Sequence, residues 1–400
     1  MNTITERMLQ ELASSGKEFP TPVYIVDQAA LEDNIDALYR AFNSRFERFI
    51  FGYSYKTNYA ADILRTIHRK GGYAEVVSPM ELAYALHQVS GEKIIYNGVI
   101  PDTDAKYELA KAGGIVNIEN FTELRAIDAL ARAEGRAVEI GIRVNLALEG
   151  TEPSRFGIEM NAENLNEIFK LRNIRVAGIH CHITKSRGIA FWREKAEQMA
   201  AIAKKIGAVR YIDFGGNMYG RMHPDLAAQF HCKIPTFQDY ADCIYDVFSK
   251  HFQSGKMPVV IVEAGTPVVA NAQSLLTSVV DIKQIRGKTI CTLDAKQLDV
   301  SVIGDSGKRM PYSVLNFGKG QVDNAAIYGC TCLEPDMFVE SYTGPLSIGD
   351  WILFENIGAY SNVLAPGFIQ GVPGALKYDS NGFTIIKRPD SYETVFGEYL

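Results

Sequence analysis

No two cysteines in this 400-residue chain stand at CxxC spacing, and its six cysteines are scattered, with only Cys330 and Cys332 close together. A long chain with so few thiols does not depend on a disulfide framework, so reduced cysteines, a cytoplasmic compartment and no metal site are expected. No run of 18 apolar residues occurs, which argues against a membrane-spanning helix. The stretch Met1–Leu9 has neither the basic start nor the apolar block of a secretory signal. Positive charge is not in excess: 41 Lys and Arg face 47 Asp and Glu, for a formal net charge of -6. That balance speaks against a nucleic-acid surface and for solubility. An early glycine fingerprint for a dinucleotide is missing too, since Gly71-Gly72 does not supply one. Internal repeats and low-complexity linkers are absent.

What is present is ordinary globular texture, with 47% hydrophobic and 22% charged residues, over a length that suits two domains or one large one. After a polar helical tail comes a strand at 21–27, then a helix over 28–45 with Leu31, Ile35, Leu38 and Tyr39 at helical spacing. Strands are then expected around Phe51–Lys56, Gly72–Ser78, Lys93–Gly98, Ile115–Glu119, Ala137–Asn145, Val176–His182, Tyr211–Gly216 and Val259–Glu263. Helices are expected between most of them, at 59–70, 79–88, 103–112, 121–134, 162–171, 191–206 and 236–254. Eight apolar strands alternating with helices over about 220 residues predict a (β/α)8 barrel. Past residue 270 the chain turns to Val-, Ile- and Thr-rich runs with turns between them, which predicts an antiparallel β domain. The expected division is a barrel over 27–270 and a β domain built from 1–26 and 271–400.

Chemistry in such a barrel sits at the C-terminal ends of the strands. Lys56, Glu75, Asn97, Arg143, Asn145, His182, Asp213 and Glu263 all fall there. A lysine at a strand end can snorkel, or can offer an amine of lowered pKa to a carbonyl. Gly215-Gly216-Asn217 can be a tight turn, or a nest of amides for a phosphate. Glu263 ends an apolar run and needs a cationic or protonated partner, either within the barrel or on a pyridine nitrogen. His182 can be a satisfied core histidine, or a ring stacked on a flat cofactor.

Ten ordered motifs decide between these readings: Tyr53–Asn58, Glu75–Leu82, Tyr96–Gly98, Arg143–Asn145, Ser154–Ile158, Gly178–His182, Asp213–Gly216, Glu263–Gly265, Cys332–Asp336 and Gly358–Tyr360. Together, from about residue 20 to 390, they resemble the fold-type III pyridoxal-phosphate-dependent decarboxylases, which include the diaminopimelate, ornithine, arginine and carboxynorspermidine decarboxylases. The resemblance implies an alanine-racemase-like barrel with a C-terminal β domain, working as a head-to-tail homodimer with shared active sites. It implies pyridoxal phosphate as cofactor and decarboxylation of an L-amino-acid-like substrate. Lys56 resembles the Schiff-base lysine, His182 the ring-stacking histidine, and Glu263 the partner of the pyridine nitrogen. Gly215, Gly216 and Asn217 resemble the phosphate-binding glycine run, with Gly265 and Thr266 nearby, and Tyr360 resembles the tyrosine beside the phosphate. Glu75 and Arg143 match polar residues around the lysine. Cys332 resembles the cysteine that one subunit lends to the other's site as a proton donor.

Three departures stand out. The family's Glu-Pro-Gly-Arg is Glu263-Ala-Gly-Thr266 here, which removes a phosphate-facing arginine. Its His-x-Gly-Ser is His182-Ile-Thr-Lys185, so Lys185 is expected to replace the lost cation. The acid that follows the family's cysteine is Leu333, leaving Glu334 or Asp336 to meet a substrate tail, and a specialised biosynthetic intermediate becomes a candidate substrate. The rival readings are an amino-acid racemase or epimerase on the same fold, and a non-catalytic homologue that binds the cofactor.

Overall fold

A computed structural model of the chain describes residues 3–14, 20–150, 152, 154–184, 187–207, 209–253, 255–300 and 308–399. The first strand, β1 (Val23–Asp27), runs into the helix Gln28–Asn43, whose N-cap is the Asp27 carboxylate accepting from the Ala30 amide. That helix buries Leu31, Ile35, Leu38 and Phe42 on one face, at i, i+4, i+7 and i+11. Each buried aliphatic or aromatic side chain contributes about 1.5–3 kcal/mol relative to an exposed one.

The strands that follow are β2 (Phe49–Ser54), β3 (Tyr73–Val76), β4 (Ile94–Tyr96), β5 (Ile115–Ile118), β6 (Val138–Asn145), β7 (Ile158–Glu159), β8 (Ile174–His180), β9 (Tyr211–Asp213) and β10 (Val259–Val262). Among the described residues eight of them close a parallel barrel, β2-β3-β4-β5-β6-β8-β9-β10 and back to β2, with the short β7 added beside β6. Side-chain oxygens start most of the barrel helices: Ser78 accepts from Glu81 N, Asn120 from Glu123 N, Asn161 from Asn164 N, and Thr236 forms a capping box with Asp239. Because all eight strands run the same way, their C-terminal ends open on one mouth.

One buried ion pair ties the outer layer to that mouth. Lys106 Nζ donates to Glu123 Oε2 at 2.8 Å and to the Gly98 carbonyl at 2.9 Å. Both side chains are sealed from solvent, so removing one strands the other's charge. Lys106→Met is expected to lower unfolding free energy by about 3–5 kcal/mol in urea titration. A loss under about 1 kcal/mol, the range of surface pairs, contradicts that reading.

The second sheet holds β1 and the strands at Gln273–Ile285, Lys288–Leu293, Tyr312–Leu315, Gln321–Tyr328, Met337–Pro345, Trp351–Phe354, Gly374–Asp379 and Gly382–Lys387. It is mixed, where an antiparallel sheet was expected. β1 runs parallel to Gly374–Asp379, and Lys288–Leu293 runs parallel to Gln321–Tyr328. The physical reason is connection length: both parallel pairs join segments far apart in sequence, and only a tight hairpin forces antiparallel pairing.

Candidate active site

Strand β2 stops at Ser54 and passes into a 3-10 turn, Tyr55–Thr57, that carries Lys56. Buried Tyr53 and Tyr55 anchor the turn, the latter through a 2.7 Å hydrogen bond between its hydroxyl and His68 Nε2. The segment Gly358–Tyr360 braces it from the other sheet. Tyr360 N donates to the Thr57 carbonyl at 2.9 Å, and Asn58 Nδ2 donates to the Gly358 carbonyl at 2.9 Å. Lys56 Nζ then reaches Glu75 Oε2 at 2.6 Å and Ser54 Oγ at 2.7 Å. A third of the lysine side chain (33%) remains open while Glu75 is buried.

Burial pushes the Lys56 amine down, but Glu75, Tyr360 and Glu263 outweigh it and hold the group above its ordinary value. This corrects the expectation of a lowered amine. Lys56 rests as an ammonium, and it becomes a nucleophile only when the proton leaves Nζ. Glu75 Oε2 is the acceptor in place for that proton.

A chain of amides links Glu75 to the barrel axis. Asn97 Nδ2 donates to Glu75 Oε1 at 3.1 Å and also to Glu263 Oε1. Asn117 Nδ2 donates to Asn97 Oδ1 at 2.7 Å, and the Tyr211 hydroxyl donates to Asn117 Oδ1 at 2.9 Å. His180 Nε2 stands 3.3 Å from Glu263 Oε2, and Asp213 completes a buried trio whose polar atoms lie within 4.8 Å of one another. Burial drives the Asp213 carboxyl well up, reinforced by the Glu263 charge beside it. Burial works on Glu263 in the same sense, yet His180, Asp213 and Lys56 together hold it well below the carboxylate range. The trio of His180, Asp213 and Glu263 therefore keeps one anion, Glu263, with the proton on Asp213.

His182 follows two residues past the end of β8 at His180. The Gly216 amide donates to His182 Nδ1 at 2.9 Å, and a backbone amide can only donate. A neutral ring then carries its proton on Nε2. Burial pushes both imidazoles down, and Lys56 adds to the effect at His182, which falls well below 6.5. The unfolded chain takes these protons first, so this part of the stability falls as pH drops below the unfolded value of about 6.5. His182→Gln is expected to flatten the urea midpoint of the cofactor-free protein between about pH 7 and about pH 5. Asp213 works in the opposite sense, its share being lost as pH rises, but it is common to both proteins. Superimposable pH profiles contradict the assignment.

The backbone after β9 doubles back through Gly215 at φ +60° and Asn217 at φ +69°. A Cβ on Gly215 would lie 2.8 Å from His182 Cβ, and one on Gly216 would lie 2.7 Å from the Glu263 carbonyl. The amides of these two glycines serve the protein itself, going to Asp213 Oδ1 at 2.8 Å and His182 Nδ1 at 2.9 Å. The glycines thus shape a cradle rather than line it with their own donors. A Cβ on Gly265 would collide with Thr57 Oγ1, which is buried with no hydrogen-bond partner among the described residues. A glycine-walled cradle, an unpartnered hydroxyl, a neutral imidazole and a buried anion suit a flat, protonated pyridine ring bearing a phosphate.

The remaining expected residues divide. Arg143 Nη1 pairs with Glu119 Oε2 at 3.1 Å, its guanidinium 4.4 Å from the Phe156 ring centre, and β6–β8 pairing sets it opposite His180. Tyr360 and Thr266 line one cavity of about 150 Å3. Cys332 and Glu334 are exposed on the β domain, together with Leu333 at 44%. Asp336 is a correction: it turns inward and accepts from Gln297 N at 2.7 Å, Thr331 N at 2.9 Å and Thr331 Oγ1 at 2.6 Å. It shapes its own loop and is not free for a substrate tail. Lys185 lies outside the described residues. Ser54, His180 and Asn117 were missed. In the strand expected over Val176–His182, alternation puts 180 and 182 on one face, and that carried the signal for His180.

The family described as pyridoxal-dependent decarboxylase, pyridoxal binding domain, matches residues 32–270. The chain belongs to the pyridoxal-dependent decarboxylases. It is an amino-acid carboxy-lyase that uses pyridoxal phosphate. Diaminopimelate decarboxylase of Methanocaldococcus jannaschii is 24% identical over 408 residues, covering 94% of this chain and 90% of the relative. The Aquifex aeolicus diaminopimelate decarboxylase is 26% identical over 411 residues, covering 97% and 93%. The crystal structure of the M. jannaschii enzyme superposes with a TM-score of 0.84 at 23% identity, covering 97% of this chain and 94% of that one. No helix among the described residues of this decarboxylase is long and apolar enough to cross a membrane.

Proposed function

We propose that this decarboxylase removes the α-carboxylate of diaminopimelate, giving lysine and carbon dioxide with uptake of one proton. The observation that carries the reaction is the Lys56 Nζ–Glu75 Oε2 contact of 2.6 Å, at a barrel mouth that also holds the Glu263 anion. The choice of substrate is supported by full-length relatives of that name.

Bound pyridoxal phosphate supplies a protonated pyridine that takes up the electron pair left by carbon dioxide. Glu263, its two oxygens fixed by Asn97 and His180, would hold the ring nitrogen in its protonated form. His182 supports the ring with a flat, uncharged imidazole. Lys56 Nζ would hold the cofactor through its carbonyl, and Glu75 Oε2, 2.6 Å away, is placed to take the ammonium proton. The proton that replaces carbon dioxide comes from Cys332 of a partner subunit, since in one chain that thiol is exposed on the β domain. The working unit in this reading is a homodimer in a reducing, cytoplasmic setting, where all six thiols stay free.

Mixing tests the shared site. Lys56→Ala and Cys332→Ala are each expected to be nearly inactive, and refolded together to recover about a quarter of wild-type activity, because a random mixture makes half hybrid dimers with one intact site each. No recovery contradicts sharing. Carbon dioxide release from diaminopimelate, ornithine, lysine, arginine and carboxyalkylated diamines tests the substrate. Release from diaminopimelate alone supports the assignment. Release from another member of the panel, or from none, replaces it.

A further inference from the structure

The cradle after β9 lacks the charge its ligand calls for. A phosphate monoester carries about -1.5 to -2 near neutral pH. Gly215 and Gly216 give their amides to the protein, and Thr266 and Tyr360, which line a cavity with Met218 of the same turn, are uncharged. Arg187 stands at the rim. Its Nε donates to Asn217 Oδ1 at 3.0 Å, which pins the guanidinium to the left-handed residue of the turn. The guanidinium carbon is 5.4 Å from the Tyr219 ring centre. The Arg187 carbonyl accepts from the Tyr240 hydroxyl at 2.6 Å, so the backbone is fixed as well.

The neighbouring cations are engaged elsewhere. Arg221 faces Asp33 at 3.7 Å, Lys308 lies 4.4 Å from the Phe230 ring centre, and Arg143 pairs with Glu119. Arg187 has no carboxylate partner among the described residues. It shares the 150 Å3 cavity with Met218, Thr266 and Tyr360.

We propose that Arg187, held by Asn217, is the cation that binds the cofactor phosphate in this chain. The proposal rests on the pyridoxal-phosphate reading of the site. With Nε taken by Asn217, the two terminal amino groups remain for a bidentate pair with phosphate oxygens, which a lysine cannot reproduce. Asn217 has two tasks here: it makes the turn that a left-handed backbone requires, and it aims the arginine.

The test compares pyridoxal phosphate with pyridoxal, which has the same ring and aldehyde but no phosphate. Each is titrated into wild type, Arg187→Gln, Arg187→Lys and Lys185→Ala, following cofactor absorbance rather than turnover. Wild-type binding of pyridoxal phosphate reports on the cofactor assignment independently of the variants. Arg187→Gln is expected to weaken pyridoxal phosphate about 10-fold or more, and pyridoxal by less than about 2-fold, with Arg187→Lys between wild type and glutamine. An unchanged affinity for pyridoxal phosphate overturns the proposal. So does a parallel loss for both ligands, which assigns Arg187 to holding the turn alone. A phosphate-specific loss in Lys185→Ala with none in Arg187→Gln moves the role to Lys185.

Discussion

Lys56→Ala is expected to lower carbon dioxide release by about 10⁴-fold or more, with the fold intact. The size follows from two roles in one atom. Nζ is the nucleophile toward the cofactor carbonyl, and beside Glu75 it also handles protons at the reacting centre. Truncation removes both and leaves Glu75 as a buried carboxylate, still bonded to Ser54 and Asn97. Added methylamine is expected to restore part of the rate, since it replaces the amine but not its tether. Rate loss below about 10-fold contradicts the role given to Lys56.

Glu263→Gln is expected to lower kcat by about 10²–10³-fold while leaving KM nearly unchanged. Glu263 is the one carboxylate of the buried trio that holds its charge; Asp213 carries the proton and His180 is neutral. Glutamine keeps the shape and a polar tip but cannot keep a pyridine nitrogen protonated, so the ring loses its pull on the departing electron pair. Binding of substrate, made by other groups, is spared. The same change relieves Asp213 of a neighbouring charge, and its carboxyl should move down toward the ordinary range. Asp213 ionisation would then partly replace the missing anion, which is why the loss stays short of that for Lys56. A rate unchanged by Glu263→Gln contradicts the electrostatic account. A rise in KM with kcat intact does so as well, by assigning Glu263 to binding.

Much of this was legible in the sequence because barrel chemistry is local. Each strand announces itself by a short apolar run, and the polar residue that ends the run marks the mouth. Lys56, Glu75, Glu263 and the turn at Gly215–Asn217 were found in that way. What the sequence hid depends on distant partners. The parallel pairing of β1 with Gly374–Asp379 joins segments about 350 residues apart, and no local pattern encodes it. The lysine pKa was misjudged because burial is visible in an apolar run, whereas Glu75, Tyr360 and Glu263 are brought to the amine by other elements. Asp336 looked available beside an exposed Cys332, but the tight turn at Gly329–Thr331 folds the chain back onto its carboxylate. Arg187 went unnoticed because its link to Asn217 spans two strands' loops and leaves no spacing signature.

The central claim is that Lys56 alone carries the cofactor. Incubating the protein with pyridoxal phosphate, reducing with borohydride and mapping the added mass by peptide analysis tests it most directly. The account predicts one label, on the peptide containing Lys56, and none in Lys56→Ala. A label on another lysine, such as the buried Lys195 behind Phe214, or no label on the wild-type chain, would contradict it.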